Sequence, residues 1–117
     1  MAKFVLLDTE TTGAGENDRI IQLGYMVLDG KKVDVYNDLC SAEVPIGFGA
    51  MEVHGITPDI IEGKPPCTQT AAFQALCALN TPENVLIIHN APFDLGMLAK
   101  ESFTSQMRLI DTLRCAR

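Results

Sequence analysis

Apolar residues fall into short runs separated by polar segments rich in glycine and proline. The first run, Phe4-Val5-Leu6-Leu7, is bounded by Lys3 and Asp8 and does not alternate. Such a run predicts a central strand covered on both faces. Thr9 to Asp18 is rich in Thr, Gly, Asn and Asp and predicts a loop. Arg19 to Leu28 is apolar and β-rich, and Asp29-Gly30 marks a tight turn. Lys31 to Leu39 alternates Val33, Val35 and Leu39 with polar positions, as a half-exposed strand does. The chain therefore opens as an antiparallel three-stranded meander.

Glu43 to Pro66 is broken repeatedly by proline and glycine and predicts a loop with short helical turns. Thr68 to Leu79 carries Ala71, Ala72, Ala75, Leu76 and Leu79 at helical spacing, with Thr68 or Thr70 as cap. Asn84 to Ile88 is a second buried strand. Pro92 suits a first helical turn and starts a helix running to about Glu101. Met107 to Ile110 reads as a short strand, and Asp111 to Arg117 as the start of a helix. This order predicts an α/β domain with a mixed sheet. There is no internal repeat and no linker, and 117 residues make one domain at most.

Composition narrows the functional classes. Hydrophobic residues make up 47% of the chain, enough for one core. No apolar run approaches the roughly 18–20 residues of a membrane span, and the N-terminus lacks a small-residue cleavage site. Cys40, Cys67, Cys77 and Cys115 form no C-x-x-C pair, which predicts isolated buried thiols in a reducing, cytoplasmic setting. A net charge of −6 with nine Lys and Arg excludes a broad nucleic-acid-binding surface. It does not exclude a nuclease centre, where carboxylates attract phosphate once divalent metal is bound.

Two segments carry candidate chemistry. Asp8-Thr9-Glu10-Thr11-Thr12-Gly13 ends the first strand. Acids at i and i+2 of a strand share a face, expected here to be buried. Buried carboxylates repel unless compensated, and Mg²⁺ or Mn²⁺ compensates well. The alternative places Asp8 and Glu10 in an exposed loop that binds nothing. The second segment, His89-Asn90-Ala91-Pro92-Phe93-Asp94, follows the strand Val85 to Ile88. Asp94 falls in the first turn of a helix, where the dipole favours its ionised form, or it serves only as a cap. Phe93 is core or a platform for a nucleobase, a stack worth about 1–3 kcal/mol.

Together these segments resemble the first and second motifs of the DEDD superfamily of 3′→5′ exonucleases, most of all the epsilon proofreading subunits of bacterial replicative polymerases. Val53-His54-Gly55-Ile56-Thr57 resembles the family's short segment between them. Ile110-Asp111-Thr112-Leu113, followed by Ala116-Arg117, resembles the strand-to-helix step after the second motif. The resemblance implies a ribonuclease H-like fold, a mixed five-stranded sheet with flanking helices. It implies metal binding by Asp8, Glu10 and Asp94, which would hold two Mg²⁺ or Mn²⁺ ions about 4 Å apart. It also implies nucleotide contacts from Thr11, Thr12, His54, Asn90 and Phe93, and a histidine or tyrosine general base. The implied reaction releases nucleoside 5′-monophosphates from the 3′ end of a single strand. DNA is preferred to RNA as substrate, and a polymerase subunit is the implied partner.

The family's third motif, a His followed five positions later by an Asp, has no match. No histidine follows Asp94, and the only later aspartate is Asp111, read as a cap. His89 and Asp94 have the third motif's spacing, but Asn90, Ala91 and Phe93 match the second. The chain thus reads as the N-terminal two-thirds of an exonuclease domain over residues 1–117, with weak or no activity of its own. An apolar face is expected to lie open and to self-associate, with Met107 to Ile110 taking part. The competing readings are a noncatalytic fragment, an oligoribonuclease-like RNA exonuclease, and a haloacid-dehalogenase-type phosphatase. The last is disfavoured by Glu10 in place of an aspartate and by the antiparallel meander.

Overall fold

Strand β1 (Phe4–Thr11) forms the centre of a five-stranded sheet in the order β3-β2-β1-β4-β5. The computed structural model describes residues 2–115, except the side chain of Cys115. Strands β2 (Ile20–Asp29) and β3 (Lys32–Leu39) continue antiparallel from β1, joined by a turn in which Gly30 takes φ +62°. Strands β4 (Val85–Ile88) and β5 (Arg108–Asp111) lie parallel on the other side. This is the mixed sheet expected from the order of elements.

Between β3 and β4 come α1 (Phe48–His54), α2 (Pro58–Ile61), a single 3-10 turn (Cys67–Gln69) and α3 (Ala71–Leu79). The cap of α3 is Thr70, whose hydroxyl oxygen accepts the Phe73 N–H at 3.1 Å. Helix α4 (Ala91–Ala99) follows β4, and α5 (Thr112–Cys115) follows β5. The rest of the helix expected to reach Arg117 lies outside the described residues.

Two expectations about β1 are corrected. The strand runs on through Asp8 to Thr11, so the loop begins only at Thr12. It is also not covered on both faces: Val5, Leu7, Thr9 and Thr11 are buried, whereas Phe4, Leu6 and Asp8 are exposed. A four-residue apolar run cannot show which of its faces lacks a covering layer. The covered face packs Val5, Leu7, Leu23 and Leu86 against Leu76 of α3 and Leu98 of α4.

The opposite face shows an ordered pattern. Register aligns Val35, Met26, Leu6, Ile87 and Ile110 in one apolar row across all five strands. A parallel row holds Val33, Leu28, Phe4 and Val85. Further along, Asn37, Gly24 and Asp8 form a row without large apolar side chains, and the next row places Gln22 and Glu10 beside Leu39. An open apolar face is present across β1 to β3 and at Ile110 of β5, but it lies on the side of the sheet opposite α4, not beside that helix as expected.

The register shifts between Glu10 and Thr11, where Ile21 of β2 is the extra residue. The bulge turns Ile20 into the main core and Ile21 into a second cluster with Ile46, Ile56 and Ile61. That cluster anchors the excursion bearing α1 and α2. The cysteine expectation also changes. Cys40 and Cys67 are buried together, and contact with the Cys40 thiol is the first cause holding the Cys67 pKa up, followed by burial. Cys77 is exposed.

Candidate active site

Asp8 and Glu10 project from the C-terminal half of β1 on the open face, just past the apolar rows. The face expected to bury them leaves Asp8 exposed and Glu10 half-buried. With Leu6, Met26, Val35 and Asn37 they border a trough of about 360 Å³. Asp94 comes from the first turn of α4 and is only 3% exposed. Its Oδ1 accepts a hydrogen bond from the Thr9 hydroxyl, which points to the covered side of β1.

The three acids share one electrostatic field. Burial, then the charge of Asp8, raises the Glu10 pKa, while His54 lowers it. Burial pushes Asp94 up to about 6. The Thr9 bond pulls it down, and the charges of Asp8 and Glu10 add to the rise. Desolvation thus works against the ionised form that a helix start favours, and a pKa of about 6 still leaves the carboxyl mostly ionised at neutral pH. Among the described residues no Lys or Arg forms an ion pair with any of the three.

This donor set suits a divalent cation in kind: hard oxygen ligands whose mutual repulsion His54 and Thr9 offset only in part. Among the described residues, no three His, Cys, Asp or Glu side chains close around one point as a finished centre.

A second cleft, of about 290 Å³, lies between Glu10 and Thr11 on one side and Ala50, Val53 and His54 of α1 on the other. Phe93 also lines it. His54 Nε2 donates to the Thr11 carbonyl at 2.9 Å, and its Nδ1 accepts the Ile56 N–H at 3.0 Å. Both ring nitrogens are therefore engaged. Thr11 donates its hydroxyl to the Gly13 carbonyl at 2.7 Å. Asn90 is exposed at the start of α4, at φ 66°, and its side chain makes no capping bond.

Thr12, expected to contact nucleotide, is fully buried and serves the loop instead. Its hydroxyl donates to Asp18 Oδ1 at 2.7 Å and accepts the Arg19 N–H at 3.0 Å. Asp18 Oδ2 accepts the Gly15 N–H at 2.7 Å. A Cβ on Gly13 would stand 2.6 Å from Asp18 Oδ2, so a side chain here would push the Asp18 carboxylate off its loop partners. Lys100, at the end of α4, donates to the carbonyls of Gly15 at 3.0 Å and Asp18 at 2.8 Å. Glu101 pairs with Arg19 at 2.7 Å.

Sequence reading missed this latch, as well as Thr9. Asp18 in a glycine-rich loop is a recognisable backbone acceptor, but nothing local links Arg19 to Glu101.

Asp111, read as the cap of the last helix, accepts the Leu113 N–H at 3.0 Å as expected. It also accepts the N–H groups of Asn90 at 3.1 Å and Ala91 at 3.0 Å, at the start of α4. Burial raises its pKa, but hydrogen bonds from Ala91, Asn90, Leu113 and Arg114 outweigh that, and the net direction is down.

Comparison with known proteins agrees with the fold. The chain is 31% identical over 122 residues to a PolC-type DNA polymerase III of Clostridium perfringens, covering 98% of this chain and 8% of that one. It is 35% identical over 129 residues to the DNA polymerase III subunit epsilon of Rickettsia typhi, covering 97% of this chain and 54% of the subunit. The chain thus spans about half the length of that epsilon relative. Among solved structures, Escherichia coli exonuclease I in its zinc-bound single-stranded DNA complex superposes with a TM-score of 0.80. That match has 19% identity and covers 99% of this chain and 29% of the other. Exonuclease X bound to 5′-overhanging duplex DNA gives 0.73 at 23% identity, over 97% and 62%. Residues 5–116 match the RNase_T exonuclease model, and the chain belongs to that exonuclease family.

Proposed function

We propose that residues 1–117 supply the substrate-end and metal-holding part of a divalent-metal 3′→5′ exonuclease domain, its N-terminal two-thirds. Its proposed substrate is the 3′ end of single-stranded DNA in preference to RNA, in the cytoplasm, in the service of a polymerase. The observation that carries this reading is the common field of Asp8, Glu10 and Asp94, with no Lys or Arg paired to them among the described residues, beside a cleft of about 290 Å³. That volume suits a single nucleoside.

Asp8, Glu10 and Asp94 would hold two Mg²⁺ or Mn²⁺ ions. Bound metal would supply charge stabilisation at the scissile phosphate and acidify a water. Phe93 offers an aromatic face to the terminal base, and Val53 and Ala50 an apolar wall. Thr11, His54 and the exposed Asn90 would contact the terminal nucleotide. The 12–19 loop, latched through Asp18, keeps Thr11 and Glu10 in place beneath it.

A second reading, a noncatalytic piece, is favoured by the histidines. Both nitrogens of His54 are engaged, and His89 Nδ1 meets the Thr112 hydroxyl at 2.9 Å. His54 thus has no ring nitrogen free to take a proton from water, and His89 has one nitrogen engaged away from β1. The chain alone should therefore bind Mn²⁺ and a 3′ end but turn over slowly. Incubation of 5′-labelled single-stranded DNA with the chain and Mn²⁺ tests both readings. We expect a faint ladder from the 3′ end that Asp8→Ala removes. A ladder that survives Asp8→Ala, or a chain that binds neither Mn²⁺ nor the oligonucleotide, would sink the assignment.

The open face is proposed to pair with a second copy of the chain. Its rows leave Phe4, Leu6, Met26, Val33, Val35 and Ile110 exposed side by side, a contiguous apolar patch of the kind that marks an interaction surface.

A further inference from the structure

We propose that Asp111 is a positioning residue for the candidate site: its carboxylate, reaching across from β5, is the N-cap of α4 and fixes where Asp94 stands. This rests on the reading of Asp8, Glu10 and Asp94 as the site.

A helix start leaves its first backbone N–H groups without partners inside the helix. Helix α4 has an acute form of this problem. Its own cap residue, Asn90, is in the left-handed region and makes no side-chain capping bond. Pro92 has no N–H to offer, and Ala91 is 1% exposed, so water does not serve its amide. The partner arrives from a neighbouring strand. The parallel register pairs Ile88 with Asp111, which sets the Asp111 side chain beside the end of β4. Oδ1 then accepts the Asn90 and Leu113 N–H groups, and Oδ2 accepts that of Ala91. One carboxylate, itself 8% exposed, thereby joins the exits of β4 and β5 and the starts of α4 and α5.

Asp94 lies three residues past Ala91, within the first turn that this carboxylate secures. The two ends of α4 are held differently. Lys100 and Glu101, just past its C-terminal end, tie it to the 12–19 loop, and Met97 and Leu98 bury it. Without Asp111 those anchors would keep the helix folded, while the two backbone N–H groups at its start would lose their side-chain acceptors. The position of Asp94 against Thr9 should suffer more than the fold.

The test compares Asp111→Asn with Glu101→Gln, two substitutions that each remove one negative charge, at opposite ends of α4. Asp111→Ala serves as the stronger variant. Three quantities are read on the full chain: Mn²⁺ affinity from the electron paramagnetic resonance of free Mn²⁺, amide exchange at Asn90 and Ala91, and Tm. We expect Asp111→Asn to speed exchange at those amides and to weaken Mn²⁺ binding about ten- to a hundredfold, the usual range for residues supporting a metal ligand. Asp111→Ala should weaken it at least as much. Glu101→Gln should lower Tm yet leave Mn²⁺ affinity within about twofold of the parent. Unchanged affinity in Asp111→Asn alongside faster amide exchange would reduce Asp111 to a plain cap and overturn the proposal. An equal loss in Glu101→Gln would also overturn it, by showing that affinity merely follows stability. A parent chain that binds no Mn²⁺ would remove the site reading and this inference with it.

Discussion

The two faces of the sheet are built from the same strands and differ in what covers them. On one, Val5 and Leu7 disappear beneath Leu76 and Leu98. On the other, Phe4 and Leu6, their immediate neighbours, remain 42% and 38% exposed. The covered face spends its residues on packing, and the open face carries the carboxylates. Asp94 belongs to the covered side yet feels the charges of the open side through the thickness of one strand. The site is therefore a boundary feature, located where β1 leaves the apolar rows and where α4 begins.

The sharpest way to break the comparison is to truncate an aliphatic side chain on each face. Leu86→Ala removes a fully buried side chain of β4 and should cost about 3 kcal/mol in urea unfolding. Val35→Ala, at a position 68% exposed, should stay within about 0.5 kcal/mol. Equal losses would mean that the open face is covered in solution by something that packs as tightly as a core.

A charge placed in the centre of the open rows comes next. Met26→Lys should leave the monomer's unfolding nearly unchanged. A second copy would have to bury the new ammonium, which on the order of 3 kcal/mol translates into weakening of about a hundredfold. Sedimentation of parent and variant over a range of concentrations gives the answer. A parent that remains monomeric throughout would dismiss pairing through this face.

The fold was legible wherever hydrophobic period and punctuation agreed. Pro92 set the start of α4 and Gly30 the hairpin turn, and the two acids of the first motif were identified from their place at the end of an apolar run. Which face of β1 was open was not legible, because Phe4-Val5-Leu6-Leu7 reads the same with one face covered or two. The fate of Thr12 was hidden for a different reason: its partner Asp18 becomes visible only once the loop closes. The buried state of Asp94 depends on Thr9, and the cap of α4 depends on Asp111. These contacts join residues on separate elements, which local spacing cannot foresee.

On the covered side, the latch between the loop and α4 predicts a smaller effect. Arg19→Met leaves the Glu101 carboxylate, 5% exposed, without its cation. The Arg19 side chain is itself 42% exposed, so water partly screens the pair, and the loss should be about 1–2 kcal/mol. Arg19→Lys should recover part of this, since one ammonium can pair with the carboxylate but cannot reproduce the Nε and Nη2 contacts. A Met variant as stable as the parent would show that the pair only decorates the surface.

The smallest expected effect is a pH slope, and it separates loop from sheet. Hydrogen bonds from Thr12 and Gly15, in that order, hold the Asp18 carboxyl below its ordinary value of 3.8, against a smaller upward push from burial. A carboxylate whose folded pKa is depressed binds protons more weakly in the folded than in the unfolded chain. Its stabilisation is complete above the unfolded value near 3.8 and is lost as pH falls through the lower folded value. Unfolding free energy should therefore decline below about pH 4, and part of that decline should be absent in Asp18→Asn. The asparagine oxygen can still accept from Thr12 or Gly15, so the loop can keep its shape at neutral pH while losing the charge. Solvent screening at this loop keeps the slope small. Urea melts from pH 6 down to pH 3 on both proteins would resolve it. Parallel curves for parent and variant would show that Asp18 holds the loop by geometry alone, with no contribution from its ionisation.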